Sequence, residues 1–409
     1  MKQLGKKIIW QRAEDYIKKY NPLLIGITGS TGKTITKDAI GVALGKDQRI
    51  RIAPHSYNTP IGVALSIIGI DAGANAHTWF SFLIGSKAKE IAHPEPEIIV
   101  LELGADRPGD IDMLATKLPF KIGVVTNAQS THLRLFQDKK MVAHEMMSLI
   151  VKMQDDKDAK AILNSDDPLV KEMHQHSKVA TAWYGSDKQS DIKLARSKRT
   201  AKGGFACEVV TPIGVIELHL QNVIASHYIP HILAALSVVH ALNEDLKQAA
   251  KRLQKFTPPA GRMRLFEGLR QSKIIDDSYS ASPEGMLAAL DTLDEIKSTR
   301  KIAVLGSMLD LGGASAGWHE RVGEKAEEVA DILITIGDDM RHGGSAALQS
   351  AGEFNNKIDV HHFNNSKDVG KWLVDFIQPD DLVLVKGSRD MRMETIVESL
   401  LVGSSIDKN

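Results

Sequence analysis

Cysteine occurs once in this chain, as Cys207, so there is no internal disulfide framework and the sequence suits a reducing compartment. Charge of either sign is not in excess. Lys+Arg and Asp+Glu both number 51, which removes the electrostatic signature of a nucleic-acid or anionic-membrane partner. Long apolar runs are missing too: the longest, Gly62 to Ile70, is far too short to cross a bilayer. The N-terminal Lys2, Lys6 and Lys7 lead into Trp10-Gln11-Arg12-Ala13-Glu14-Asp15, too polar for a signal-peptide core. The expectation is a cytoplasmic protein without membrane insertion, and 409 residues suffice for two or three domains.

What is present begins at residue 26. Gly26-Ile27-Thr28-Gly29-Ser30-Thr31-Gly32-Lys33-Thr34 follows the apolar run Leu23-Leu24-Ile25 and precedes a helical pattern from Ile35 to Leu44. A buried strand, a glycine-rich turn and a helix start aim several backbone N–H groups and a helix N-terminus at one spot, as a polyphosphate requires. Lys33 can reach the β- and γ-phosphates and the Thr34 hydroxyl can sit on Mg²⁺. The generic pattern places glycine at position 27, where this chain has Ile27. ATP or GTP binding is expected.

The rest of the chain alternates strand and helix. A short amphipathic helix is expected over residues 8–20, and β-rich runs at 98–101, 122–126 and 161–163, with a helix at 139–153 between two of them. Residues 191–195, 204–211 and 214–220 have the character of short antiparallel strands. Helices follow at 232–242 and 249–256. Thr257-Pro258-Pro259-Ala260-Gly261 is the clearest linker, since two prolines cannot continue a helix. After it strands at 273–276, 302–305, 332–336, 360–363 and 382–385 alternate with helices at 284–295, 319–329 and 366–376, a Rossmann-like pattern. The expected fold class is α/β: a phosphate-loop ATPase domain with a parallel sheet plus a small antiparallel sheet, then a Rossmann-like C-terminal domain. The boundaries expected are a 1–22 leader, a 23–258 ATP-binding domain and a 259–409 C-terminal domain.

Several polar groups sit at strand ends, where ligands gather in open parallel sheets. Glu102 ends an apolar strand, as a metal-holding carboxylate or as a solvated acid. Asp106, Arg107 and Asp110 beyond it suit a local turn network. His132 follows the strand at 122–126, as a ligand or as a structural histidine. Asp276-Asp277-Ser278-Tyr279 suits ribose hydroxyls or a metal, or else a turn with helix capping. Lys386-Gly387-Ser388-Arg389 suits a carboxylate or phosphate, or else surface charge.

Together these pieces resemble the Mur ligase family from residue 22 to 401. Besides the phosphate loop, the stretches that carry the resemblance in the first half are Tyr57-Asn58-Thr59-Pro60-Ile61-Gly62-Val63, Leu101-Glu102-Leu103-Gly104-Ala105, Thr131-His132-Leu133 and Leu163-Asn164-Ser165-Asp166-Asp167-Pro168. Ala260-Gly261-Arg262, Asp276-Asp277-Ser278-Tyr279-Ser280-Ala281-Ser282-Pro283, Val304 to Gly312, His319 and Val385 to Arg389 complete it. The Asp-Asp-Ser-Tyr and Lys-Gly-Ser-Arg stretches favour the dipeptide-adding member. The resemblance implies an ATP-dependent, ADP-forming ligase of peptidoglycan precursor synthesis. It would join D-Ala-D-Ala to a UDP-N-acetylmuramoyl tripeptide through an acyl phosphate, with ATP and Mg²⁺. It implies Lys33, Glu102 and His132 as the catalytic set, and Gly29, Ser30, Thr31, Gly32, Lys33, Thr34, Arg262 and Asp277 on the nucleotide. Thr34 would hold one Mg²⁺, and Glu102 with His132 a second. Asn58 would lie near metal and peptide carboxylate, and Lys386 with Arg389 would meet the incoming dipeptide.

The departures from the family pattern are specific. Only residues 1–22 precede the nucleotide strand, where the family has a UDP-sugar-binding domain, so the expectation is a separate UDP-binding partner or a different carrier. The family's carbamylated, metal-binding lysine would fall at Met146, which leaves Glu145 or His144 as substitutes. The adenine-contact stretch becomes Ala225-Ser226-His227-Tyr228-Ile229-Pro230-His231, and two asparagines become Ser280 and Ser282. Two other readings stay open: a folylpolyglutamate-synthase-like ligase with another acceptor, and a catalytically weakened nucleotide-binding interaction protein.

Overall fold

The computed structural model describes residues 2–45, 49–53, 56–70, 96–105, 107–131, 133–154, 156–201, 203–354 and 356–402. Asp106 and His132 therefore lie outside the described residues. Leu23–Thr28 forms β1, buried along almost its whole length because its run of aliphatic residues is covered on both faces, as a central parallel strand demands. It pairs in parallel with β3 (Ile98–Glu102) on one side and β4 (Phe120–Val125) on the other. β2 (Ile50–Ile52) extends the sheet at one edge. β5 (Lys160–Asn164), β6 (Ala180–Gly185) and β7 (Ile192–Arg199) extend it at the other.

The antiparallel strands β8 (Phe205–Thr211) and β9 (Gly214–Leu220) are not a separate small sheet. They continue the same one through β7, giving the order β2-β3-β1-β4-β5-β6-β7-β8-β9. The pairing of Tyr184 and Gly185 with Ile192 and Lys193 makes the join, which no local pattern discloses.

After the proline linker, β10 (Arg264–Glu267) pairs antiparallel with β11 (Lys273–Asp277). The parallel strands β15 (Asp381–Lys386), β12 (Arg300–Gly306), β13 (Ile332–Ile336) and β14 (Asp359–Phe363) complete a second sheet, in the order β10-β11-β15-β12-β13-β14. One apolar core, containing Ile25, Ile232, Ile275 and Leu384, runs through both halves of the chain. A second, with Val63, Phe120 and Met146, covers the other face of the first sheet, and a third, with Ile334 and Ile396, the far face of the second.

Several helix starts follow capping chemistry. Pro60–Ile68 starts where Thr59 accepts from the Gly62 N–H and Pro60 occupies the first turn. Lys139–Val151 starts at Asp138, which accepts from Lys140 and Met141. The first helix is longer than the 8–20 pattern, spanning Lys2–Tyr20, and packs Ile9, Ala13 and Ile17 inward.

Candidate active site

The carboxyl ends of β1, β3 and β4 converge on the loop 29–32. Ser30 N–H donates to the Asn127 carbonyl (3.0 Å), Thr31 N–H to Asn127 Oδ1 (2.9 Å), and Thr126 Oγ1 to the Thr31 carbonyl (2.7 Å). Gln129 N–H closes the clamp on Ser30 Oγ at 2.8 Å. Two of the glycines are compulsory. Gly29 has φ +143° and an added Cβ would lie 1.8 Å from Thr126 Oγ1. Gly32 has φ +79° and would meet the His231 ring at 2.0 Å. Gly32 then opens the helix Lys33–Leu44, so the first free N–H groups of that helix face the loop.

Lys33 Nζ folds back onto the carbonyls of Gly29 (2.5 Å) and Ser30 (3.3 Å). Thr34 Oγ1 donates to Glu102 Oε2 at 3.1 Å and lies 2.8 Å from Ser56 Oγ. Three hard oxygen donors therefore meet at one point, a donor set that suits Mg²⁺. Glu102 is almost fully buried, and its Oε1 is 3.1 Å from the buried Lys37 Nζ, which also donates to the Ala53 carbonyl (2.7 Å). Neither Ser56 nor Lys37 stands out in the sequence. Only the packing of Lys37 beneath the strand end, at the fifth position of the helix, gives it a role.

Two adjoining cavities, of about 350 and 330 Å³, lie between the two sheets. They share Thr31, Gly32, Ile35, Arg262, Ser280 and Ser282. The first is walled by Lys33, Thr34, Ser56, Asn58 and Glu102 on one side and by Tyr279, Leu309 and Arg389 on the other. The second contains Asn127, His227, His231, Asp277, Glu284 and Lys386. Burial pushes His227 and His231 down to about 3, so both imidazoles are neutral near pH 7.

The structure separates residues that the sequence groups together. Asp276 is structural: it accepts from Gly261 N–H (2.9 Å) and from Ser278 Oγ (2.6 Å), fastening the linker to the strand end. Asp277 is instead the register partner of Lys386 on β15, and the two side chains meet at 2.7 Å in a buried pair. Lys386 also donates to the Ser280 carbonyl (2.8 Å). Lys386 thus lines the second cavity, while Arg389 lines the first.

Neither expected substitute for the family lysine takes that place. Glu145 caps the helix Asp110–Lys117, accepting from the N–H groups of Gly109 (2.8 Å) and Ile111 (2.7 Å). His144 is exposed, and Met146 is packed among aliphatic side chains. The reason is helical geometry: successive residues point about 100° apart, so the face that carries Met146 inward turns His144 to solvent.

A double cavity floored by a phosphate loop and walled by a second, Rossmann-like sheet is the site of a nucleotide-binding protein of two-sheet architecture. The Mur ligase middle domain matches residues 27–239, and the Mur ligase glutamate ligase domain matches residues 261–389. The chain belongs to the Mur ligase family and is an ADP-forming, ATP-dependent ligase. It is 26% identical over 394 residues to the UDP-N-acetylmuramoyl-tripeptide–D-alanyl-D-alanine ligase of Bacillus subtilis, covering 96% of this chain and 78% of that one. The MurF ligase of Thermotoga maritima in complex with ADP is 25% identical, with a TM-score of 0.79 over 96% of this chain and 83% of that one. The Mycobacterium tuberculosis folylpolyglutamate synthase shares the fold at 17% identity, with a TM-score of 0.66 over 95% of each chain.

Proposed function

We propose that this enzyme joins D-Ala-D-Ala to a UDP-N-acetylmuramoyl tripeptide during peptidoglycan precursor synthesis. The names of the sequence relatives support the substrate pair. The observation that carries the reading is the meeting of two cavities at the phosphate loop, with Lys33, Thr34 and Glu102 at the junction. In this reading the second cavity takes the nucleoside and the first takes the carboxylate and the amine.

Amide formation from a free carboxylate is uphill, so the carboxylate needs a leaving group. A carboxylate oxygen attacks the γ-phosphorus of ATP and ADP leaves. The dipeptide amine then attacks the acyl carbon, loses a proton and expels phosphate. Lys33 and the loop N–H groups offset the charge on the transferring phosphoryl group. Thr34, Ser56 and Glu102 would hold Mg²⁺, which neutralises phosphate charge when bound. His132 belongs with this set by the family pattern, and Asn58 faces the same cavity. Arg262 faces the nucleotide, Arg389 the carboxylate of the dipeptide, and the Asp277–Lys386 pair the ribose side.

Division at residues 23–258 and 259–409 and a cytoplasmic location complete the reading. Among the described residues no helix is long and apolar enough to cross a membrane.

The test is phosphate release from ATP with UDP-muramoyl tripeptide and D-Ala-D-Ala together, with each alone, with a UDP-binding chain added, and with folate acceptors. Release that needs both peptide partners, and falls at least a hundredfold in Lys33→Ala, is expected. Release with a folate acceptor alone, or a fully active Lys33→Ala, overturns the reading.

A further inference from the structure

Tyr279 lies on the turn after β11, half-buried, with its ring in the wall of the first cavity. Two guanidinium groups lie over that one ring. Arg262 Cζ is 4.3 Å from its centroid and Arg389 Cζ is 5.3 Å away. The two arginines are distant in sequence, one directly after the linker and one from the turn after β15. The Tyr279 N–H donates to the Gly261 carbonyl at 3.2 Å, and Arg262 Nη1 donates to Ser280 Oγ at 3.1 Å, so Arg262 and the ring are fixed to the same short stretch. Arg389 is held less firmly: its side chain is 62% exposed and its ion pair with Glu394 is long, at 3.7 Å.

Two like charges brought to one wall repel each other, and each long side chain loses rotamer freedom to stay there. A ring face carries the negative end of the aromatic quadrupole and attracts both. We propose that Tyr279 is a positioning residue that holds Arg262 and Arg389 in the cavity wall, so that the nucleotide side and the acceptor side share one support. This rests on the reading above, in which Arg262 meets the nucleotide and Arg389 the dipeptide. The ring face, not the phenolic hydroxyl, carries the effect, so phenylalanine replaces it and an aliphatic side chain does not.

The experiment compares Tyr279→Phe, Tyr279→Leu and Tyr279→Met in the full chain. The readouts are ADP affinity by calorimetry and the KM for D-Ala-D-Ala against kcat in the complete reaction. Loss of one cation–π contact corresponds to about a two- to fivefold weakening. Tyr279→Leu is expected to raise both the ADP Kd and the dipeptide KM by that factor with kcat within about twofold, and Tyr279→Phe to restore both. Tyr279→Met gives the same comparison should the leucine variant melt early. Unchanged constants in the two aliphatic variants overturn the proposal, as does a Tyr279→Phe enzyme as impaired as Tyr279→Leu.

Arg262→Ala and Arg389→Ala separate this failure from that of the underlying reading. If Arg262→Ala leaves ADP affinity unchanged, or Arg389→Ala leaves the dipeptide KM unchanged, the assignment of the arginines falls and this proposal falls with it. If both arginine variants are impaired and the aliphatic tyrosine variants are not, only the role of Tyr279 falls.

Discussion

Lys37 Nζ stands 3.1 Å from Glu102 Oε1 with both side chains almost wholly buried, while the other oxygen of the same carboxylate accepts from Thr34. Glu102 is thus gripped from behind by a cation and presented forward to the cavity. Removing one member of a buried pair leaves an uncompensated charge, which costs about 3–5 kcal/mol. Lys37→Met is expected to lower the unfolding free energy by that amount. Urea denaturation measures it, and a loss below about 1 kcal/mol contradicts the pairing.

The oxygen cluster predicts the order of effects on magnesium dependence. Ser56→Ala should raise the Mg²⁺ concentration for half-maximal ADP release by about fivefold, the equivalent of about 1 kcal/mol. Thr34→Val should raise it further, because Thr34 lies between Ser56 and Glu102. Chelation of divalent ions should abolish release. A Ser56→Ala enzyme with wild-type magnesium dependence removes Ser56 from the cluster.

Glu145 gives the opposite pattern. Its carboxylate satisfies N–H groups at the start of Asp110–Lys117. Glu145→Ala is therefore expected to destabilise the protein by about 1–3 kcal/mol while leaving the magnesium dependence of the folded enzyme unchanged. Thermal melts and magnesium titrations read the two effects separately.

His231 sets a pH dependence of stability. Burial lowers it to about 3, with His227 and Lys33 adding repulsion, whereas the unfolded side chain titrates near 6.5. Between these values the unfolded state binds the extra proton, so stability falls as pH falls below about 6.5 and is flat above. One such histidine removes about 2 kcal/mol between pH 7 and pH 5. His231→Asn should make the loss over that interval smaller by about this amount in denaturant melts. An unchanged slope shows that the wild-type imidazole is not held neutral.

By itself the sequence determined the phosphate loop, the two α/β halves and most strand positions. Those are local properties: an aliphatic run followed by glycines and Lys-Thr has one economical conformation. It also determined which strand ends carry Glu102, Asp277, Lys386 and Arg389. The helix Met340–Phe354 is not among the elements expected from the sequence, and in the structure Gly343 lets it press closely against Ser315–Val329.

Only the tertiary structure decided the rest. It split Asp276 from Asp277 and Lys386 from Arg389, turned Glu145 into a helix cap, and brought Lys37 to Glu102 and Tyr279 to two arginines. Each of those outcomes depends on which way a side chain points once a register or a helix phase is fixed. That phase is set by burial of residues distant in the chain, so no local pattern contains it.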